Sequence, residues 1–360
     1  MKYRQAIGVM IFCSLAVPIQ GSNRTVLPDV FYARYEGTIT VGKKQLNIVM
    51  NLHKRDEAAD GYYFYKDRGI LISIKGSFDR SGKANLSEYM TAKLTGLFEG
   101  EYTNASTIEG VWNTPSGTAK AAFKLTETYP SGSVKAEMKR LHKENDVYRN
   151  KATVTLEYPV ITGVESQLTL RRIHNLIRNG ISPEAALEQN LSSITSDLKN
   201  MYTENEEASS DWYYLEQISI AFNDNNILGI KSYLKEYSGG AHPNHSVAYT
   251  NINTGNGTLI SPADILTNGY ETELNRAAEE QFKKTYNIDE KNTYENAGFW
   301  LEPGKFAVPD NFLITPGGLL FLFNPYEIAP YAAGTIEFFI PYSKIKNLIQ
   351  SGSVVDIFIK

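Results

Sequence analysis

The sequence predicts an α+β protein in which an N-terminal antiparallel β-meander or small barrel is followed by an α+β two-part module. Three observations carry this expectation. Between residues 29 and 127 short runs alternate apolar and polar residues and are separated by tight turns. The composition then breaks at Pro130-Ser131-Gly132-Ser133. Beyond residue 151, apolar residues at helical spacing appear between strand-like runs, which is the order expected of an α+β region.

The strand-like runs of the first part are 35–40, 45–53, 61–67, 69–78, 83–89, 93–102, 107–112 and 119–127. Val41-Gly42-Lys43 and Ser81-Gly82-Lys83 supply tight turns. So many short strands at close spacing are expected to curl or to close on themselves. Gly37, Gly96, Gly100 and Gly110 fall within strands, where glycine weakens pairing unless the sheet bends or another backbone approaches. The polar run 139–150 then reads as a boundary between modules.

Residues 151–161 form a strand-like run, and two helices are expected after it. In 164–181, Leu168, Ile173, Leu176, Ile177 and Ile181 recur at helical spacing. Ser182-Pro183-Glu184 opens the next helix with a cap, a proline at its first position and an acid suited to the dipole. A hairpin is expected over 211–239 around Asn223-Asp224-Asn225-Asn226, since asparagine tolerates positive φ. Ser261-Pro262-Ala263-Asp264 is a capping arrangement for a short helix, and 270–288 is a longer amphipathic helix. Thr315-Pro316-Gly317-Gly318 reads as a hairpin turn. The expected organisation is 1–22 signal peptide, 28–128 all-β domain, 147–245 small α+β domain and 246–360 C-terminal α+β domain.

Lys2 and Arg4, the apolar stretch 6–17 and the small residues near Gly21 and Ser22 are the parts of an export signal, with cleavage expected there. The stretch is too short for a membrane-spanning helix, and no later run approaches the necessary length. Cys13, the single cysteine, lies in that stretch, so a processed chain offers no disulfide or thiolate chemistry. Lipidation of Cys13 is the alternative, disfavoured by the bulky Phe12 before it. Processing removes Lys2 and Arg4 and no acid, moving the formal charge from −4 to −6, which opposes nucleic-acid binding. The expected location is periplasmic or cell surface.

The candidate site is Tyr237 to His245, which places His242 and His245 three residues apart after Gly239-Gly240. Zinc would need further converging ligands, and His53, His142 and His174 are scattered, so no metal or cofactor is expected. The simpler reading makes Gly239, Gly240 and Pro243 a structural turn whose imidazoles bond to it. The sharper one makes His242 and His245 ligand contacts. Tyr326 and Tyr331, on a proline-stiffened stretch, suit either packing or contact with a protein or sugar. His174 reads as a packed residue, and Glu206-Glu207 and Glu279-Glu280 as solvated helix faces. A GxSxG elbow and a phosphate-binding lysine loop are both missing, so no catalytic residue is assigned.

Tyr237–His245, then 253–266, then 318–349 form an ordered set of motifs. Together they resemble an exported module of undefined general function, found in the extracellular part of lysozyme-sensing anti-sigma factors and near the amino terminus of some peptidoglycan deacetylases. Residues 151–161, the two helices and 211–222 resemble the small α+β domain that accompanies it. The resemblance spans roughly 151–359. It implies a noncatalytic envelope recognition module whose C-terminal part is similar in fold to a subdomain of the heat-shock cognate ATPase. The implied partners are a lysozyme-like envelope protein or peptidoglycan and its glycans. A metal-dependent or other hydrolase acting on cell-wall material, and a purely structural envelope protein, are the alternatives.

Overall fold

The computed structural model describes residues 27–90, 93–103, 106–203, 210–302 and 304–359. The expected signal peptide 1–22, Cys13 and Glu206-Glu207 lie outside the described residues. Eight strands fill the first part: β1 (Val30–Val41), β2 (Lys44–Arg55), β3 (Ala58–Tyr65), β4 (Ile72–Phe78), β5 (Lys83–Met90), β6 (Lys93–Thr103), β7 (Thr107–Asn113) and β8 (Lys120–Glu127). Each pairs antiparallel with the next, and β8 returns to β1, so the meander closes into a barrel. Alternation sets the two faces. Ala84, Leu86, Phe123 and Leu125 point inward, while Lys83, Asn85, Lys120 and Lys124 point into solvent.

Tyr35, Met50, Tyr63, Phe78, Phe98 and Phe123 fill the interior, as eight strands enclose just enough room for side chains. At the seam Gly37 faces Leu125 of β8. A Cβ there would stand 1.9 Å from the Lys124 carbonyl oxygen, so this strand glycine permits close approach.

The second unit is a six-stranded sheet of β9 (Lys135–Val147), β10 (Asn150–Thr162), β11 (Trp212–Asp224), β12 (Ile227–Tyr237), β13 (Asn244–Asn253) and β14 (Thr258–Leu259), in the order β14-β13-β12-β11-β10-β9. The polar run 139–150 is therefore no linker: it lies in β9, paired residue for residue with β10, and in the turn between them. Its polarity is that of an edge strand, which exposes Lys135, Glu137 and Lys143 to water. The parallel pair β10–β11 is joined through α1 (Gln167–Ile177) and α2 (Pro183–Thr203). Ile173 and Ile177 pack with Ile218, Ile220 and Leu228, and Leu187, Leu191 and Leu198 pack with Val154, Leu156 and Trp212. The predicted start at Ser182-Pro183 holds, Ala185 N donating to Ser182 Oγ (3.1 Å), whereas the helix read over 164–181 begins later, at Gln167, where Thr169 N donates to Ser166 Oγ (3.2 Å). Asn225 and Asn226, at φ 51° and 61°, turn the β11–β12 hairpin as expected.

The C-terminal unit holds α3 (Pro262–Ile265), α4 (Glu271–Tyr286), the sheet β15 (Phe312–Thr315), β16 (Gly318–Phe323) and β17 (Ile336–Pro341), and α5 (Tyr342–Ile345). Ser261 and Asp264 form the predicted capping box. Phe282 of α4 meets Phe338 of β17 edge-on at 5.5 Å, inside a cluster that includes Leu274, Ala278, Phe321 and Ile340. No helix among the described residues is long and apolar enough to cross a membrane.

Buried polar groups tie the units together. Arg34 of the barrel is wholly buried, and its Nε donates to the Asn223 carbonyl at 2.8 Å. Its terminal nitrogens reach the Thr128 carbonyl, Asp224 and Glu36, each at 2.8 Å. Glu157 of the sheet, 3% exposed, accepts from Arg55 of the barrel and from Arg140, both at 2.7 Å. His53 of β2 accepts from Ile220 N through Nε2 at 3.0 Å, beside the bulge between Ile220 and Phe222.

Burial, aided by the Arg55 charge, pushes the His53 imidazole down to about 4. It stays neutral in the fold while the unfolded chain takes up a proton below its ordinary value near 6.5. The depressed folded value therefore stabilises above pH 6.5, and that contribution is lost as pH falls toward 4, up to roughly 3 kcal/mol. Urea unfolding at several pH values is expected to show this slope in the native chain and a shallower one in His53→Gln. Equal slopes would assign the titration elsewhere.

Candidate functional site

The site builds outward from the β12–β13 connection. Gly239 and Gly240 lie at φ +93° and +90°, a region closed to most side chains. At Gly239 a Cβ would also approach the Trp212 ring to 3.2 Å. Tyr237 closes the turn by donating from its hydroxyl to the Gly240 carbonyl at 3.0 Å.

The turn brings both histidines against Tyr331, which is 86 residues or more away in sequence. His242 stacks on the Tyr331 ring at 3.9 Å and 17°, and His245 meets the same ring edge-on at 5.3 Å. The Tyr331 hydroxyl donates to the Pro243 carbonyl. That carbonyl only accepts, so His242 Nδ1, 3.0 Å from it, carries a proton. With the tyrosine proton committed to Pro243, His245 Nδ1 donates to the Tyr331 oxygen at 3.2 Å. Both imidazoles thus use one nitrogen to hold the loop.

Tyr326 completes the group, its ring 5.7 Å from that of Tyr331 and 56% exposed. Its backbone is the unusual part. Asn324-Pro325-Tyr326-Glu327 closes with Glu327 N donating to Asn324 O at 3.2 Å, and Tyr326 has φ +71°. With proline second and a positive φ third, this is the arrangement of a type II turn, whose third position normally takes glycine or asparagine. A bulky aromatic residue there is strained. The turn is held by Asn324 N donating to Glu327 Oε2 at 2.9 Å and by Tyr326 N donating to Ala329 O at 3.0 Å.

The sequence reading selected His242, His245, Tyr326 and Tyr331, and the fold brings all four together. It passed over Tyr233, whose ring lies 6.2 Å from His245, and Tyr213, which stacks on Tyr237 at 6.2 Å. Alternation of aromatic residues at 233 and 237 was the available signal. The remaining histidines stand apart. His174 accepts from Ile161 N at 3.0 Å, and burial lowers its pKa. His142 pairs with Thr155 Oγ1 at 2.9 Å. Glu279 and Glu280 pair with Lys283 and Lys344, each at 2.8 Å. Among the described residues no three His, Cys, Asp or Glu side chains are placed to hold a metal.

Residues 141–245 match a family described as "Deacetylase PdaC", and residues 263–343 match one described as "Protein of unknown function (DUF3298)". The resemblance read from the sequence holds. A crystal structure of a DUF3298 family member from Bacteroides fragilis superposes with a TM-score of 0.53 at 22% identity, covering 63% of this chain and 98% of that one. It shows a shared fold. A DUF3298 family protein from Pseudomonas aeruginosa gives 0.46 at 18% identity, over 61% and 97% of the two chains. No curated protein matches the chain. His242 and His245 close the first matched stretch, while Tyr326 and Tyr331 fall in the second, so the aromatic group exists only where the two meet.

Removing the Tyr331 hydroxyl should release the loop without unfolding the chain. In Tyr331→Phe, backbone amides of 239–246 are expected to exchange faster with solvent deuterium, and global stability to fall by about 1 kcal/mol. Unchanged exchange would show that the ring stack alone holds the loop.

Proposed function

We propose that this chain is an exported, noncatalytic binding protein of a bacterial envelope, and that the Tyr326, Tyr331 and His242 surface contacts a cell-wall glycan or an envelope protein. The family descriptions and the export signal expected from the sequence support the setting. One observation carries the binding reading: Tyr326 holds a strained backbone conformation that leaves its ring exposed beside the His242–Tyr331 stack. Strain of this kind persists where the surroundings over-determine it, and it concentrates at functional sites. Flat aromatic faces suit sugar rings and protein side chains alike, because tyrosine brings contact area at low entropic cost.

The proposed contact and the strain make opposite demands on position 326, which gives the test. Tyr326→Gly relieves the turn, so thermal stability is expected to hold or rise. Affinity for a soluble peptidoglycan glycan fragment or for lysozyme, measured by calorimetry with the processed chain, is expected to fall about tenfold, as for a central aromatic contact. Undiminished binding by the variant would remove the site from this role. Acetate release from an N-acetylated glycan by the native chain would overturn the noncatalytic reading in favour of a deacetylase.

A further inference from the structure

The six-stranded sheet keeps its helices on one face. Ile218, Ile220 and Ile230 pack with Ile173 and Ile177 of α1, and Val154, Leu156 and Trp212 pack with Leu187, Leu191 and Leu198 of α2. Alternation turns the intervening residues of β11 and β12 to the other side. There Tyr213 lies beside Tyr237, Leu215 beside Lys235 and Gln217 beside Tyr233, while His245 of β13 lies beside Lys235. All of them are part-exposed. At its inner end this floor meets the barrel and the C-terminal unit, where Lys231 Nζ donates to the Tyr62 hydroxyl at 3.0 Å and the Tyr249 hydroxyl donates to Glu337 at 3.2 Å.

The floor has an uncompensated cation at its centre. Glu157 and Glu144, which border it, are paired: Glu157 accepts from Arg55, Arg140 and Gln217, and Glu144 holds Lys151. Asp146 sits on β9 opposite Lys151, three strand spacings or about 14 Å from β12. The Lys235 ammonium lies 5.7 Å over the Tyr213 ring, and among the described residues it has no hydrogen-bond or ion-pair partner. The floor residues beside it include no acid. Ring contacts carry this floor into the aromatic surface: Tyr233 lies 6.2 Å from His245, and His245 lies 5.3 Å from Tyr331.

We infer that this floor holds the acidic sugar of a cell-wall glycan, with Lys235 on its carboxylate. The inference rests on the binding reading above and names its ligand class. An open sheet face fits a ligand with flat faces of its own. A pyranose ring lays C–H faces on tyrosine planes, while its hydroxyl groups reach the polar tips of the tyrosines and Gln217. A half-buried ammonium among aromatic rings then selects a carboxylate by a charge-assisted hydrogen bond. A protein partner fits less well, since interface centres are apolar and depleted in charge, whereas the centre here is a lysine. From β11 to β13 is two strand spacings, about 10 Å. A ligand of two or more sugars therefore runs from Tyr213 to the His245–Tyr331 contact.

Titration calorimetry of the processed full chain compares a cell-wall disaccharide bearing a free lactyl carboxylate with the same disaccharide reduced there to the alcohol. The acidic form is expected to bind at least about tenfold more tightly. Lys235→Gln should remove that preference without lowering the melting temperature, since Lys235 has no ion pair to lose, and Lys235→Arg should keep it. Tyr213→Thr, which retains a strand-forming residue, is expected to weaken both forms several-fold. Equal affinity of the native chain for the two disaccharides, or a preference that survives in Lys235→Gln, would overturn the inference and leave the binding reading in place. Binding of lysozyme with no saturable binding of either disaccharide would overturn it in favour of a protein ligand. A preference lost in Lys235→Gln beside undiminished binding in Tyr326→Gly would uphold the floor and remove Tyr326 from the binding reading.

Discussion

A single buried cation fixes how the parts of this protein meet. Arg34 of the barrel is wholly buried, and its guanidinium is held by two carbonyls and two carboxylates drawn from three segments. Removing a guanidinium from water is unfavourable by several kcal/mol, and complete pairing is what offsets it. Such pairing demands one relative placement of barrel and sheet, because every donor of a planar fork has a direction. Asn223 continues the constraint. Its side chain accepts from Val134 N at 2.9 Å and donates to Val134 O at 2.7 Å, and it donates to the Tyr32 hydroxyl at 3.0 Å. The joint is therefore specified by geometry as well as by apolar area.

The second joint uses side-chain amides as substitutes for a strand. Along β13, Val247 N donates to Asn324 Oδ1 at 2.7 Å, and Tyr249 N donates to Asn311 Oδ1 at 2.8 Å. Asn251 bonds Phe312 O and Ile314 N of β15, both at 2.9 Å. These amides satisfy backbone groups that a β-ladder would otherwise pair. They also explain how the strained turn survives. Asn324 is at once the first residue of the Tyr326 turn and a bridge to Val247, so the turn is anchored to the sheet that carries His245. The aromatic surface is a product of this joint.

Local chemistry in the sequence was enough to define the elements. Alternation located all eight barrel strands, and the Ser182-Pro183 and Ser261-Asp264 signals located helix starts, because each depends on residues within one turn or one strand. The polar run 139–150 misled because an edge strand and a linker both expose charge, and only the partner strand distinguishes them. At the candidate site, paired glycines and proline-flanked tyrosines were visible as unusual, but their meeting depends on the Asn311 and Asn324 bridges, which have no signature in a linear pattern. Tyr326 illustrates the limit well. Pro325 before it suggests a turn, whereas its positive φ contradicts the local preference of tyrosine and is held by bonds within 324–329 together with the Asn324 bridge to Val247.

The barrel itself argues that its contribution lies on its outer surface. Glu88, the one deeply placed carboxylate among the described residues of the barrel, accepts from the Tyr63 hydroxyl at 2.7 Å, Trp112 Nε1 at 2.8 Å and Thr95 Oγ1 at 2.7 Å. A carboxylate so fully engaged is structural, and the rings around it leave the interior to the protein's own side chains. The exterior is different. The β3–β4 loop presses into the β15–β16 turn, where Gly317 N donates to Gly69 O at 3.0 Å and a Cβ on Gly69 would lie 2.5 Å from Gly317 N. Glycine at 69 is thus required for the two loops to interlock. The same loop sets Lys66, Arg68 and Ile70 along a cleft between the barrel and α5. Closing the strands makes a rigid wall, Arg34 orients that wall, and the Gly69 contact sets its distance from α5. A barrel with a filled centre can in this way shape one wall of a cleft on its outside.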